Sequence, residues 1–378
     1  WAWEGHPADP AAEARAEAAQ VRNEADALAA QAPPADRVPG CRAAWLKGQD
    51  SVSPTALEAL ARCPFRSMAE RVWGMASSDP GGALRMAVGT LAHHVLEAAL
   101  RPLVGVRDWP AAFLASAGNG AEALLEQLQG RWAADRDGWL AELRDLPRGQ
   151  WNQAAQELEA LLPNLAQALL GDALAAGPTK YEVAFLFPAL LDMEAAARKQ
   201  SLPLQEGWTR TILSLEAQVG PVALELGGGR SLAVAGKIDR LEHWEHTEGH
   251  MFLRVVDYKV SRQDSLKAYA EPGAPFGAHL QTPVYMLLAE AAFATPCSAV
   301  LLPLREAAPD PFTEHLRALV QGAGEGSWRD RLLGNLAVFD DRLEAGDFPP
   351  TPGGHCRWCQ LSALCGRPVD VDSAEEGD

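Results

Sequence analysis

The sequence is poor in cysteine, with six among 378 residues. That number is too small for a disulfide scaffold in a chain of this size, and the uneven spacing of the six favours metal or cluster ligands. A nucleotide-binding loop of the form Gly-x4-Gly-Lys-Ser/Thr is also missing. Any ATP binding that the protein needs must therefore lie outside this sequence or in a partner subunit.

No apolar run is long enough for a membrane span. The longest, 284–304, contains Glu290 and Pro296, so it predicts a helix followed by a strand. No signal peptide is recognisable. The chain starts at Trp1 instead of a methionine, and we therefore expect it to be a fragment of a longer protein.

The chain has no excess of positive charge; its formal net charge is −17. This argues against a protein that coats nucleic acid non-specifically. It does not exclude an enzyme that acts on nucleic acid, because carboxylates that bind metal add negative charge and a local basic groove can hold the strand. Part of the charge lies in the segment 370–378, which we expect to be a disordered acidic tail.

Two runs of alternating apolar and polar residues, 232–243 and 251–261, flank a polar turn at Gly249 and predict a β-hairpin. Asp257 and Lys259 are two residues apart, so they share a strand face, and pairing of the strands would bring Asp239 to the same point. Two carboxylates and an ammonium at one place suit a divalent metal with a nearby activated water.

An exposed ion pair is the alternative for this hairpin, with Asp257 and Lys259 on a solvated face. The neighbouring residues Val255 and Val256 are too apolar for an exposed strand. A buried carboxylate and ammonium are costly unless they have a ligand or a task, so the apolar flanks favour a functional site.

The helical predictions carry less chemistry. Ser53-Pro54 predicts the start of a helix that reaches Trp73 and carries Cys63. A second helix, 86–100, carries His93, which is a metal ligand only if this helix packs beside the hairpin. The segment 108–174 predicts helix throughout, and its tryptophans fit core packing better than base stacking.

The remaining elements alternate between helix and strand. We predict a helix over 188–200, strands over 209–218 and 222–226, a glycine turn at 227–229, a helix over 276–293, a strand over 297–304 and a helix over 327–345. The first of these strands contains Glu216, and the helix over 276–293 places Gln281 and Tyr285 on one face. No helix follows the glycine turn, which excludes a phosphate-binding loop.

Three cysteines near the C-terminus, Cys356, Cys359 and Cys365, have the spacing of metal or cluster ligands. Three thiolates need a fourth partner. The candidates are Cys63, Cys297, Cys41 and His355. The spacing alone leaves zinc and an iron–sulfur cluster both open.

The motifs in this order resemble the RecB-like branch of the PD-(D/E)XK nucleases, with the closest likeness to the C-terminal nuclease domain of AddB-type helicase–nuclease subunits. The family pattern is Gly-x3-His, then Asp, then Asp-x-Lys, then Gln-x3-Tyr. The matching residues are Gly89 to His93, Asp239, Asp257-Tyr258-Lys259 and Gln281 to Tyr285. The likeness covers residues 53–367.

The resemblance implies an α/β fold, a restriction-endonuclease-like core in which helices flank a central mixed sheet, with a large helical insertion at about 108–200. It implies a connector over 1–52, a nuclease domain over 53–369 that ends in a cysteine cluster at 356–365, and the tail over 370–378. We also expect from it a bacterial cytoplasmic protein that associates with DNA and not with a membrane.

The resemblance further implies a metal-dependent deoxyribonuclease, acting as a single-strand exonuclease in helicase-coupled DNA end processing and recombinational repair. Mg²⁺ or Mn²⁺ would be bound by Asp239, Asp257, the Tyr258 carbonyl and His93. Lys259 would orient water or stabilise the phosphate. Gln281 and Tyr285 would contact DNA or brace the site, and Glu216 would orient a metal ligand.

The same resemblance implies a [4Fe–4S] cluster that joins the two ends of the domain. Its ligands would be Cys63, Cys356, Cys359 and Cys365, which leaves Cys297 and Cys41 incidental. Two alternatives remain open, a zinc ion in place of the cluster and a catalytically silent module that binds DNA ends or docks a helicase subunit. The presence of both acids and Lys259 favours activity.

Overall fold

The computed structural model describes residues 41–75, 80–116, 118, 120–143, 148–188, 206–307, 310–353, 355–356 and 359–365. Nearly all of the helix predicted over 188–200, the tail over 370–378 and most of the connector lie outside these ranges. The described residues divide into two compact units. One lies within 1–49, 59–78 and 338–378, and the other within 50–58 and 79–337.

A mixed four-stranded sheet forms the centre of the second unit. Its strands are β1 (Trp208–Gly227), β2 (Arg230–His246), β3 (Met251–Lys259) and β4 (Cys297–Pro303), in the order β1-β2-β3-β4. The first two pairings are antiparallel and the third is parallel. Helices flank this sheet, which confirms the predicted α/β fold.

Twelve α-helices are described along the chain. They are α1 (Cys41–Trp45), α2 (Pro54–Arg62), α3 (Pro64–Arg71), α4 (Pro80–Leu100), α5 (Trp109–Ser116), α6 (Ala121–Glu142), α7 (Arg148–Leu174), α8 (Lys180–Leu186), α9 (Gln281–Phe293), α10 (Glu314–Gly322), α11 (Trp328–Ala345) and α12 (Ser362–Cys365). Short 3-10 turns occur at Arg101–Leu103, Gln263–Ala270 and Ala274–Phe276. None of the helices in the described ranges combines the length and apolarity needed to cross a membrane.

Several helix predictions were wrong in their bounds. The helix predicted to run from Ser53 to Trp73 is two helices, because Cys63 is extended (φ −158°) and Pro64 starts a new helix. The helix predicted over 108–174 is three, interrupted near Gly118, which adopts a left-handed φ of 63°. The helix predicted from 276 begins at Gln281, since a 3-10 turn and the non-helical Gly277 precede it.

The strand predictions were also corrected in one place. The two strands predicted over 209–218 and 222–226 are a single strand, β1, with a register shift between Val219 and Val222. Gly220 lies at the shift with a φ of 95°, which makes it a bulge and not the end of a strand. The glycine turn and the β2–β3 hairpin are confirmed. Helices α8 and α10 were not predicted.

The main apolar core lies between helices α4 to α7 and one face of the sheet. Val256 and Tyr258 on β3 belong to this core, together with Trp109 and Trp132 from the helical segment. Because side chains alternate between the two faces of a strand, Asp257 and Lys259 face away from this core. The tryptophans therefore pack in the core as predicted, and the reactive groups of β3 occupy the other face.

Part of the predicted connector is folded. In the first unit, Trp45 is fully buried and its indole N–H donates to Ser67 Oγ at 3.0 Å. Arg42 Nε pairs with Asp340 Oδ1 at 2.9 Å. In the second unit, Val52 forms a β-bridge with Val234. The domain boundaries at 52 and 369 stay predictions.

Candidate active site

Asp239 on β2 and Asp257 on β3 stand opposite one another. Arg240 is paired with Val256, so the two acids face each other one position beyond that pair. Only 9% of Asp239 and 3% of Asp257 is exposed. The predicted hairpin thus places two carboxylates side by side in a desolvated position, just beyond the last pair of the ladder.

The carboxylate of Asp239 has two neighbours of different kinds. Its Oδ2 accepts a hydrogen bond from the Tyr258 backbone N–H at 2.8 Å, and its Oδ1 lies 3.5 Å from His93 Nδ1. Burial and the charge of Asp257 raise the pKa of Asp239 to about 7. Without a cation, this side chain is therefore only partly ionised near neutral pH.

His93 reaches this position from helix α4. This helix therefore packs beside the hairpin, which is the condition for His93 to be a metal ligand. Its Nδ1 lies 3.3 Å from Glu216 Oε1, and a carboxylate can only accept, so Nδ1 donates. Burial alone would lower the pKa of His93. The hydrogen bond to Glu216 and the charge of Asp239 outweigh burial and raise the pKa above its ordinary value.

Glu216 sits on β1 opposite Asp239, between the pairs Leu215 with Arg240 and Ala217 with Ile238. Its φ of 49° is left-handed, which is uncommon for a residue with a side chain and frequent at functional sites. Burial would raise the pKa of Glu216, but its bonds to His93 and Lys237 lower it below the ordinary value.

The ligand atoms of His93, Glu216 and Asp239 all lie within 4.8 Å of one another. Glu216 is predicted from the sequence only to orient a ligand, yet the structure places it directly in this group. Lys237, which the sequence analysis did not single out, pairs with Glu216 Oε2 at 2.5 Å. Its position two residues before Asp239 on the same strand was the available signal.

Lys259 connects the second acid to helix α9. Its Nζ lies 2.6 Å from Asp257 Oδ2 and donates to Gln281 Oε1 at 3.1 Å. Gln281 Nε2 in turn donates to the Tyr285 hydroxyl at 3.2 Å. Burial lowers the pKa of Lys259, but the charge of Asp257 outweighs it and raises the pKa, so the ammonium stays charged at neutral pH.

Tyr285 completes this chain of contacts. Burial raises the pKa of its phenol to about 12, so the hydroxyl stays protonated. A Cβ on Gly236 would lie 2.7 Å from Tyr285 Cε1, which means that the ring occupies the space above that glycine. The four motif segments therefore meet at one place in the second unit.

The residues present fit a divalent cation. Three buried or half-buried acids converge, one of them with a raised pKa, and the imidazole of His93 stands between two of them. Oxygen donors with one nitrogen suit Mg²⁺ or Mn²⁺. The assembled group differs from the predicted ligand set in two respects, since it includes Glu216 and since the Asp257 carboxylate is held by Lys259.

The predicted cluster ligands belong to the first unit. Cys63 precedes helix α3 and is buried, whereas Cys356, Cys359 and Cys365 are partly exposed. Burial lowers the pKa of Arg66, but Glu70, Cys359 and Cys63 outweigh burial and raise the pKa above its ordinary value. One guanidinium thus lies near cysteines from both ends of the unit.

The other predicted fourth ligands have different surroundings. The pKa of His355 is lowered by burial and by the charges of Arg62 and Arg66, which places it beside the same arginines. Cys297 lies in β4, and burial raises the pKa of its thiol strongly. Cys41 is buried in α1. Within the described ranges, no group of three or more potential ligands includes a cysteine.

A family comparison covers the whole of this site. The family model of the PD-(D/E)XK nuclease superfamily matches residues 51–366, which include every residue of the candidate active site. No curated protein matches the chain.

Proposed function

The chain belongs to the PD-(D/E)XK nuclease superfamily, and on that premise we propose that it is a Mg²⁺- or Mn²⁺-dependent deoxyribonuclease. The observation that carries the proposal is the convergence of His93, Glu216 and Asp239 within 4.8 Å, beside an acid that is paired with a lysine. Nucleases of this superfamily use divalent metals, and this donor set suits them.

The ion would be held by His93, Asp239, Asp257 and the Tyr258 carbonyl, with Glu216 as a further ligand. When bound, such an ion supplies a water molecule of lowered pKa and offsets negative charge on the phosphodiester. Both the imidazole and the carboxyl group must lose a proton to bind it. The pKa of Asp239, raised to about 7, places its loss near neutral pH, and the raised pKa of His93 moves the loss of its proton to a higher pH than in an ordinary histidine.

Lys259 is the residue that we assign to the phosphate. It remains charged and is fixed from two sides, by Asp257 and by Gln281. A fixed ammonium can orient the attacking water or stabilise charge that develops on the phosphate oxygens. Gln281 holds Lys259 and Tyr285 in place, and the protonated Tyr285 hydroxyl remains available to a phosphate oxygen of the strand.

The proposed substrate is single-stranded DNA, cleaved as an exonuclease in helicase-coupled end processing and recombinational repair. Support comes from the RecB-like motif order, which resembles the AddB-type nuclease domains. The net charge of −17 fits a strand delivered by a motor better than one captured by electrostatic attraction. The helicase would be a partner subunit or another part of the protein.

We also propose that Cys63, Cys356, Cys359 and Cys365 hold a [4Fe–4S] cluster. The support is that Arg66 lies near both Cys63 and Cys359, although these residues are far apart in sequence. A cluster that closes so long a loop would stabilise the domain. Anaerobically purified protein should contain iron and labile sulfide, and the Cys356→Ser variant should lose both; stoichiometric zinc in the parent would contradict the cluster.

The function is tested by cleavage of end-labelled single-stranded DNA, with duplex DNA and RNA in parallel, by iron-loaded parent and Asp257→Ala proteins. We expect the parent to degrade single-stranded DNA and the variant not to. Asp264→Ala is the matched control, because Asp264 is an exposed acid of the following segment, paired with Lys267. A folded, iron-loaded parent without activity would favour the silent-module alternative.

A further inference from the structure

A second group of charged side chains is buried on the face of the sheet that packs against helices α4 to α7. Asp172, near the end of helix α7, Arg210 on β1, and Arg240 and Glu242 on β2 are each at most 3% exposed. Asp172 Oδ1 accepts from Arg210 at 2.8 Å, and its Oδ2 accepts from Arg240. The Asp172 backbone carbonyl accepts a further bond from Arg210 at 2.6 Å.

Arg240 links this group to the candidate active site. It follows Asp239 directly in sequence, and its Nη1 donates to the Tyr258 hydroxyl at 3.2 Å. The Tyr258 ring meets His93 edge-on, with centroids 5.6 Å apart and an interplanar angle of 87°. The backbone N–H of the same tyrosine donates to Asp239. A continuous chain of contacts thus runs from Asp172 to two proposed metal ligands.

A contribution to core stability alone does not explain why these charges are buried. Removing charges from water is expensive, and well-packed apolar residues of the same volume often stabilise a core as well or better. Removing one partner of such a group is strongly destabilising, because it leaves an uncompensated buried charge. Tyr258 joins the buried network to the site. Its hydroxyl accepts a hydrogen bond from Arg240, and its backbone N–H donates to Asp239.

We propose that Asp172 is a positioning residue of the metal site, acting through Arg240 and Tyr258 on His93 and Asp239. The helical segment α5 to α7 thereby belongs to the catalytic unit, since its last helix supplies the anchor. The inference rests on the proposed function in assuming that His93 and Asp239 bind a divalent ion. Residues that orient metal ligands in this way commonly alter metal affinity by about 10- to 100-fold when changed.

The test compares Asp172→Asn with a matched control, Glu182→Gln. Glu182 is equally buried and pairs with Arg254 on the same sheet at 2.7 and 2.6 Å. Its carboxylate also accepts from the Thr179 backbone N–H and from the Ser298 hydroxyl, neither of which belongs to the site. Mn²⁺ binding is measured by titration calorimetry on each folded protein. We expect Asp172→Asn to weaken Mn²⁺ binding at least about 10-fold and Glu182→Gln to leave it within about 3-fold.

Thermal unfolding of both variants separates positioning from general destabilisation. The inference would be overturned if Mn²⁺ binding weakened in both variants in proportion to their loss of Tm. It would also be overturned if Asp172→Asn bound Mn²⁺ as tightly as the parent. A parent that binds no Mn²⁺ would overturn the proposed metal site together with it. If Asp172→Asn does not fold, Tyr258→Phe removes only the hydroxyl that Arg240 contacts, and unchanged affinity in that variant would equally overturn the inference.

Discussion

Asp239 and Asp257 oppose one another across β2 and β3, and the charge of Asp257 helps to raise the pKa of Asp239 to about 7. Two carboxylates in this position repel each other unless a cation or a proton lies between them. The register of this hairpin therefore favours a cation between the two acids. Lys259 and His93 offset the repulsion only in part.

Metal affinity should depend steeply on pH. A bound metal must displace protons from Asp239, whose pKa is raised to about 7, and from His93, whose pKa is raised above its ordinary value, so Mn²⁺ binding should tighten as the pH rises through about 7. Titration calorimetry in two buffers of different ionisation enthalpy, at pH 6 and pH 8, measures the affinity and the released protons. An affinity that is the same at both pH values would contradict the assignment.

Lys259→Met should separate metal binding from catalysis. The substitution keeps the stem of the side chain and removes the ammonium that pairs with Asp257, so Mn²⁺ binding should be retained while cleavage falls by about 100-fold or more. Lys267→Met is the control, because that lysine is exposed and pairs with the exposed Asp264 outside the site. Loss of Mn²⁺ binding in Lys259→Met would show a structural role instead.

Gly236 and Gly89 should respond differently to alanine. A Cβ at Gly236 would meet Tyr285 at 2.7 Å and Pro54 at 3.0 Å, so Gly236→Ala should displace the tyrosine and reduce cleavage. Gly89 lies within helix α4 with nothing within 4 Å of an added Cβ, so Gly89→Ala should stabilise the protein by about 0.5–1 kcal/mol. Thermal unfolding and cleavage rates on both variants measure this contrast, and equal loss of activity would contradict it.

His315 should make stability fall in mild acid. The side chain is buried against Phe312, and burial lowers its pKa to about 3. The unfolded chain binds this proton below its ordinary pKa and the folded chain does not, so stability present above pH 6.5 is lost as the pH falls. The loss between pH 7 and pH 5 should be about 2 kcal/mol.

Urea unfolding of the parent and of His315→Phe, at both pH values, measures this contribution. The phenylalanine keeps the ring and cannot take up a proton, so the variant should lose about 2 kcal/mol less than the parent over the same interval. An identical pH dependence in the two proteins would show that other groups cause the loss.

The hairpin and its acids could be predicted because their signal is local. A period of two residues fixes which side chains share a strand face, and the distance between Asp257 and Lys259 follows from it. The place of Glu216 could not be predicted in the same way. It depends on a left-handed φ and on pairing with a second strand, and neither leaves a periodic signal.

The contact of Asp172 with Arg240 is tertiary in origin, since 68 residues separate the two positions. The sequence around Asp172 reads as an ordinary amphipathic helix, and only the packing of α7 against the sheet reveals a partner. The breaks at Pro64 and Gly118 were visible as residue types, yet apolar spacing on both sides favoured continuous helices.

A metal site at the opposed acids is tested by the rate at which the iron-loaded protein cleaves single-stranded DNA as a function of Mn²⁺ concentration. We expect a saturable dependence, complete loss of cleavage with EDTA, and no cleavage by Asp239→Asn at any Mn²⁺ concentration. Cleavage that persists in EDTA, or that is equal in parent and Asp239→Asn, would contradict a metal site at the opposed acids.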